Sequence, residues 1–343
     1  MNSINSETKL ENMSLKDLAS LEEKKLRSTF LRAYKSPIYR NLWKPISVNS
    51  DSVRNLADLS SLPLISRKEL FEATRTKLRR AACSSVSTWF AGSSKTNNYE
   101  WVPYNAKDFL GIAPMLMRMQ HITELQDRDL VLAVVDLPPR IYSSIPYLWT
   151  HTKISNDCKL EFIIGSLDWY DTLGMTWIDF IQRRQPTVLF SSARNALALA
   201  NRINKELGVK AEEVLSKTRI GIFYGNPLEA VKTELLNTYS LEPYEAYSPT
   251  EHMSYWVDCN HHQGMHVWMD TCIPEIVPTK SEEAISILEA ATGTTGELVI
   301  SNFSECLPLF RLKTGEKIQV ESLTYCDCGC THPRISRISD RTI

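Results

Sequence analysis

No stretch of this 343-residue sequence is both apolar and long enough, at roughly 18–20 residues, to cross a membrane as a helix. The N-terminus, MNSINSETKLENMS, is polar and lacks the apolar centre of a secretory leader. An excess of one charge is also lacking. The formal net charge is −1, which removes the electrostatic case for nucleic acid or an anionic membrane. Three late arginines, Arg334, Arg337 and Arg341, stand among serines and an aspartate and read as a solvated strand or tail. Internal repeats, heptad arrays and low-complexity segments are missing too. With 43% hydrophobic and 23% charged residues, the composition is that of a globular protein with room for two or three subdomains.

Cysteine is present and unevenly placed. Of the eight, Cys83, Cys158, Cys272 and Cys306 lie among apolar neighbours and read as buried reduced thiols. Cys326, Cys328 and Cys330 are packed into five residues, just before His332. Such a cluster suggests a metal in a reducing, cytoplasmic setting rather than a disulfide framework. Upstream, CNHHQGMHVWMD supplies Cys259, His261, His262 and His266. Cys259, His266, Cys326 and Cys328 would complete a tetrahedral structural zinc site and pin a β-rich lobe. Cys330 and His332 are spare ligands, and unpaired thiols with surface histidines are the plain alternative. The C-x-C spacing is too tight for a common zinc ribbon. A water-activating role is disfavoured because no base is evident beside the site, and Asp327 stands between two proposed ligands.

The rest of the chain alternates in an α/β manner. Ser14 to Asp17 has capping-box spacing, and Leu15, Leu18, Leu26 and Phe30 predict a helix to about Ala33, ending before Ser36-Pro37. Ser66 and Glu69 open a second helix in SLPLISRKEL. Lys107 to Met119 reads as a helix, and Leu130 to Val135 as a buried parallel strand. Then follow strands at Lys159–Ile164, Thr187–Phe190 and Arg219–Phe223, and helices at Asp171–Gln182, Ala193–Leu207 and Leu228–Leu236. Trp177 and Phe180 are expected in the core. Strands alternating with helices imply a sheet covered on both faces. Ligands of such sheets bind beyond the carboxyl ends of the strands.

Two late phrases, PLFRLKTGE over 308–316 and CDCGCTHPRI over 326–335, resemble the phenylacetate–CoA ligase family of adenylate-forming enzymes. That family reads roughly P-L-[IV]-R-Y-[RK]-T-G-D and then C-x-C-G-R-T-H-P-R-I. Leu312, Glu316 and Cys330 replace its Tyr, Asp and Arg. Further matches lie upstream in order: SPIYRNLWK, SLPLISRKEL, YGNPLE over 224–229, AYSPTE over 246–251, and Gly264-Met265-His266 with Asp270. The SLPLISRKEL phrase is expected to pack rather than to act. The resemblance implies an α/β adenylate-forming large domain. Residues 1–80 form a helical segment on the core, 81–245 an α/β subdomain, and 246–343 a β-rich lobe with the zinc site.

It also implies roles. ATP or AMP would be held by Ser93, Ser94 and Thr96 of a phosphate loop, by Gly225, Asn226 and Pro227, and by Tyr247 stacked on adenine beside Ser248. Glu316 would stand in for the ribose-binding Asp, with Arg311 beside it. Thr250 would meet the α-phosphate, Glu251 would hold Mg²⁺, Lys95 could supply a catalytic charge, and Tyr142 could line an acid pocket. The reaction would activate a small-molecule carboxylic acid, with aromatic acids among the candidates, as an acyl-adenylate. The acyl group would pass to CoA, a carrier-protein thiol or an amine. In GSSKTNN, Lys95 replaces the second glycine of the family's phosphate loop, and alone this segment reads as a polar surface loop. Lys95, Asn226, Ser248 and Glu316 all depart from the pattern, which favours the alternative of a non-catalytic AMP-binding-fold scaffold. A thiol carrier at Cys330 is a third version. The last residues resemble the family's hinge. The resemblance therefore implies that its small C-terminal domain, which normally supplies a lysine, is absent or replaced by a partner subunit.

Overall fold

The structure, a computed structural model, describes residues 11–75, 85–92, 100–136, 141–151, 159–167, 175–248, 251–252 and 254–338. It divides into two compact units. One holds the chain up to Ile112, the short segment around Glu251, and Gln263–Ile338; the other is built on Ala113–Ser248.

The first unit begins with helix α1 (Leu15–Lys35), where the Ser14 hydroxyl accepts from the Asp17 amide at 3.2 Å, as the capping pattern predicts. Leu18, Leu26, Phe30 and Ala33 form its buried stripe. Ser36 closes α1, and Pro37 opens helix α2 (Pro37–Trp43), because a missing amide is harmless in a first turn. Strand β1 (Ile65–Ser66) leads into α3 (Arg67–Arg75). There the Ser66 amide donates to the Glu69 carboxylate at 2.8 Å, and the Glu69 amide donates back to the Ser66 hydroxyl at 3.2 Å. Strands β2 (Thr88–Gly92) and β3 (Glu100–Tyr104) form an antiparallel pair that turns Phe90, Val102 and Tyr104 inward.

The helix expected over Lys107–Met119 is two helices, α4 (Ala106–Leu110) and α5 (Ala113–Ile122). Pro114 has no amide to give the Leu110 carbonyl, so the first helix cannot continue through it.

The second unit carries a six-stranded sheet. Its strands are β4 (Leu130–Val134), β5 (Glu161–Gly165), β6 (Val188–Ser192), β7 (Ile220–Tyr224), β8 (Glu242–Tyr247) and β9 (Trp256–Val257), in the order β5-β4-β6-β7-β8-β9. The first five in that order are parallel and β9 is antiparallel. Helices α6 (Ile145–His151), α7 (Met175–Arg184), α8 (Ala193–Leu207) and α9 (Lys232–Thr238) connect them. Leu132, Val134 and Leu189 of the sheet pack with Ile178 and Ile181 of α7 and with Leu199 and Ile203 of α8. Trp177 is buried as expected, but Phe180 is 49% exposed. At about 100° per residue, Phe180 falls about 60° beyond Trp177, just outside the stripe of Trp177, Ile181 and Ile178 that faces inward.

The chain then returns to the first unit. Its β-rich part has strands β10 (Met265–His266), β11 (Cys272–Pro278), β12 (Ile285–Ser286), β13 (Thr295–Asn302), β14 (Leu312–Ser322) and β15 (Arg334–Ile338). They run in the order β10-β15-β14-β13-β11-β12, and β1 joins β14 in parallel. The rings of Phe30, Tyr39 and Trp43 pack on Phe310, and the Tyr39 hydroxyl accepts from the Phe310 amide at 3.0 Å. Cys272 is a buried free thiol as expected. Cys306, also expected as a thiol, is disulfide-bonded. Among the described residues, no helix is long and apolar enough to cross a membrane.

Candidate functional site

The ligand atoms of Cys259, His266, Cys326 and Cys328 all lie within 4.8 Å of one another. The sequence bias behind this is local. Cys326 and Cys328 flank a tight turn in which the Gly329 amide donates to the Cys326 carbonyl at 2.8 Å, and the Cys326 amide to the Cys330 carbonyl at 3.0 Å. Gly329 takes φ +93° there, a conformation that a Cβ disfavours. The His261 amide points at the Cys259 sulfur at 3.4 Å. His266 Nδ1 lies 3.2 Å from the His332 carbonyl and Nε2 lies 3.2 Å from the Cys328 sulfur. A carbonyl only accepts, so Nδ1 carries the proton and the Nε2 lone pair faces the thiols. Three thiols and one imidazole so presented fit a tetrahedral soft-metal site. His332, a spare ligand on sequence grounds, accepts from the Met269 amide at 3.1 Å through Nδ1 and is buried against Trp268.

In the second unit the carboxyl edge of the parallel sheet gathers the expected nucleotide segments. Tyr224 and Ala246 are partners on adjacent strands, so Gly225–Pro227 and Tyr247–Ser248 leave the sheet side by side. Gly225 takes φ +100° and is exposed with Asn226. The Glu245 carboxylate accepts from the Leu228 amide at 3.0 Å and ties the first loop to β8. Tyr247 is buried with its ring 5.7 Å from that of Trp256.

The first unit holds the remaining expected residues. Glu251 is 1% exposed. One carboxylate oxygen lies 2.8 Å from the Arg67 guanidinium, and the other, Oε2, is buried with no hydrogen-bond partner among the described residues. A buried carboxylate oxygen with an unused lone pair fits a divalent cation ligand. Asn302 fixes the backbone here, donating to the Glu251 and His252 carbonyls at 3.2 and 3.3 Å. Burial pulls His252 down to about 3, so it is neutral. Arg311 is engaged within the lobe: it pairs bidentately with Glu275 at 2.9 and 3.1 Å and donates to the Ser60, Leu62 and Ala284 carbonyls. Glu316 accepts from Arg337 at 3.2 Å. Ser93, Ser94, Lys95, Thr96 and Thr250, and the Tyr142 side chain, lie outside the described residues.

Sequence reasoning missed Arg67, taking its phrase as packing alone.

No family model matches the sequence. Among curated proteins, the phenylacetate–coenzyme A ligase of Thermus thermophilus is 25% identical over 355 residues, covering 97% of this chain and 72% of that protein. The Escherichia coli phenylacetate–coenzyme A ligase is 23% identical, covering 97% and 73%. Among solved structures, 2-hydroxyisobutyryl-CoA ligase in complex with 2-HIB-AMP and CoA matches with a TM-score of 0.77 at 17% identity, over 97% of this chain and 70% of that one. The fold is that of the adenylate-forming CoA ligases. Within that class the chain is similar to the phenylacetate–CoA ligases along almost its whole length.

Proposed function

We propose that this protein is an acid–thiol ligase. A carboxylate oxygen of the substrate attacks the α-phosphorus of ATP and pyrophosphate leaves. The sulfur of CoA or of a carrier-protein thiol then attacks the acyl carbon of the adenylate, and AMP leaves. An amine acceptor would follow the same course. The observation that carries this reading is the homology to phenylacetate–CoA ligases across 97% of the chain. The paired loops at the carboxyl edge of β7 and β8 support an adenine and ribose site there. The Glu251 oxygen that has no hydrogen-bond partner among the described residues supports a Mg²⁺ role. In the same reading Ser93, Ser94, Thr96 and Thr250 face phosphates, Lys95 contributes charge, and Tyr142 lines the acid pocket. The Cys259–His266–Cys326–Cys328 set holds zinc structurally, because four protein ligands leave no open position.

Calorimetric titration with ATP and Mg²⁺, repeated on Glu251→Gln, tests this. Micromolar binding that the substitution weakens is expected, followed by pyrophosphate release with an aryl or short aliphatic acid. Absence of ATP and AMP binding at millimolar concentration would sink the ligase and favour the scaffold.

A further inference from the structure

The Arg67–Glu251 pair is oddly made. Arg67 is the first residue of α3, where the helix dipole disfavours a cation. The local pattern does not call for it: Ser66 and Glu69 already satisfy the helix start. The guanidinium nevertheless reaches Glu251 at 2.8 Å. The two partners differ in freedom. Glu251 is buried and its backbone is clamped by Asn302, whereas the Arg67 side chain is 29% exposed. Only one of the two carboxylate oxygens is engaged by the guanidinium. A divalent cation on Oε2 would stand a few ångströms from the guanidinium, inside a poorly solvated site where repulsion between cations is strong.

We propose that Arg67 is the resident counter-ion of Glu251, and that a divalent cation enters the site by displacing it. Arg67 keeps the buried carboxylate neutralised until the metal arrives, and withdraws toward solvent when it does. It therefore sets how much divalent cation the site needs. Arg67 is a positioning residue, acting on the metal through Glu251. This inference rests on Glu251 being the cation ligand of the proposed reaction.

The test is Mn²⁺ titration followed by electron paramagnetic resonance, on full-length protein loaded with zinc, with α,β-methylene ATP, at pH 8. Wild type, Arg67→Gln, Arg67→Lys and Glu251→Gln are compared, and thermal midpoints confirm folding. Arg67→Gln should tighten Mn²⁺ binding by about tenfold, since a nearby repulsive charge is gone. Arg67→Lys should return the affinity toward wild type, which a merely structural role would not do. If Glu251→Gln abolishes binding while Arg67→Gln leaves it unchanged or weaker, the counter-ion role is wrong and the ligase reading stands. Failure of Arg67→Lys to restore the wild-type affinity overturns the role as well. If Glu251→Gln leaves Mn²⁺ binding intact, the cation does not sit on Glu251 and the counter-ion role falls, while the ligase reading is decided by ATP binding.

Discussion

The carbonyl of His332 sets the tautomer of His266. The 3.2 Å contact at Nδ1 leaves the Nε2 lone pair turned toward Cys328. A histidine backed in this way is a better metal ligand than a free one, because its ring is aimed before the metal binds.

Removing the metal should therefore unfold more than a turn. The four ligands come from three separate stretches of chain, so the site closes long loops. Chelation, or Cys328→Ser, should cost more than about 4 kcal/mol, the range in which loss of a metal is one of few mechanisms. Elemental analysis should find one zinc per chain in the wild type and none in the variant. Urea unfolding of metal-loaded and chelated protein measures the cost, and equal midpoints would remove the metal from the fold.

Gly264 offers a second route to the same site. It takes φ +98°, and an added Cβ would meet the Ile335 carbonyl at 2.9 Å. Gly264→Ala should strain the loop and push β10 from β15, at about 1–3 kcal/mol, and should raise the rate of zinc loss to a colorimetric chelator. A zinc-release rate equal to that of the wild type would disconnect this turn from the metal.

Arg311 shows where motif reading reaches its limit. Its place in the PLFRLKTGE phrase suggested nucleotide, yet its donors are spent on Glu275 and on three carbonyls. Burial lifts the Glu275 carboxyl above its ordinary range, and Arg311 opposes that rise. Arg311→Met would strand the carboxylate and should cost about 3–5 kcal/mol. Arg311→Met combined with Glu275→Leu should recover part of that loss. Denaturant titration of the singles and the double gives the coupling, and additivity would mean that the pair does not interact.

What was legible in the sequence follows from physical range. The convergence of Cys259, His266, Cys326 and Cys328 was readable because thiols and imidazoles so spaced have few other uses, and the C-x-C turn brings two of the thiols together locally. The capping boxes at Ser14 and Ser66 and the parallel strands were readable for the same reason: each is decided within a few residues. Phe180 was misplaced because periodicity defines a stripe but not which of two adjacent stripes meets the sheet. The Arg67 contact was missed because Glu251 lies far along the chain, and only the folded lobe joins them.

His262 yields the last prediction. Its ring nitrogens lie 2.7 Å from Asp258 and 3.1 Å from Glu242. The Asp258 hydrogen bond is the main cause lifting its pKa, partial burial opposes it, and Glu242 adds to it. The folded state therefore holds the proton more tightly than the unfolded chain. The stabilisation is fully present below the unfolded value, about 6.5, and is lost as pH rises through the folded value. The thermal midpoint of the wild type should exceed that of His262→Gln at pH 5.5, and the gap should close above neutrality. The ring is partly exposed, so screening keeps the effect small, and added salt should shrink it at the lower pH. A gap that widens toward alkaline pH would show that the imidazole acts there in its neutral form.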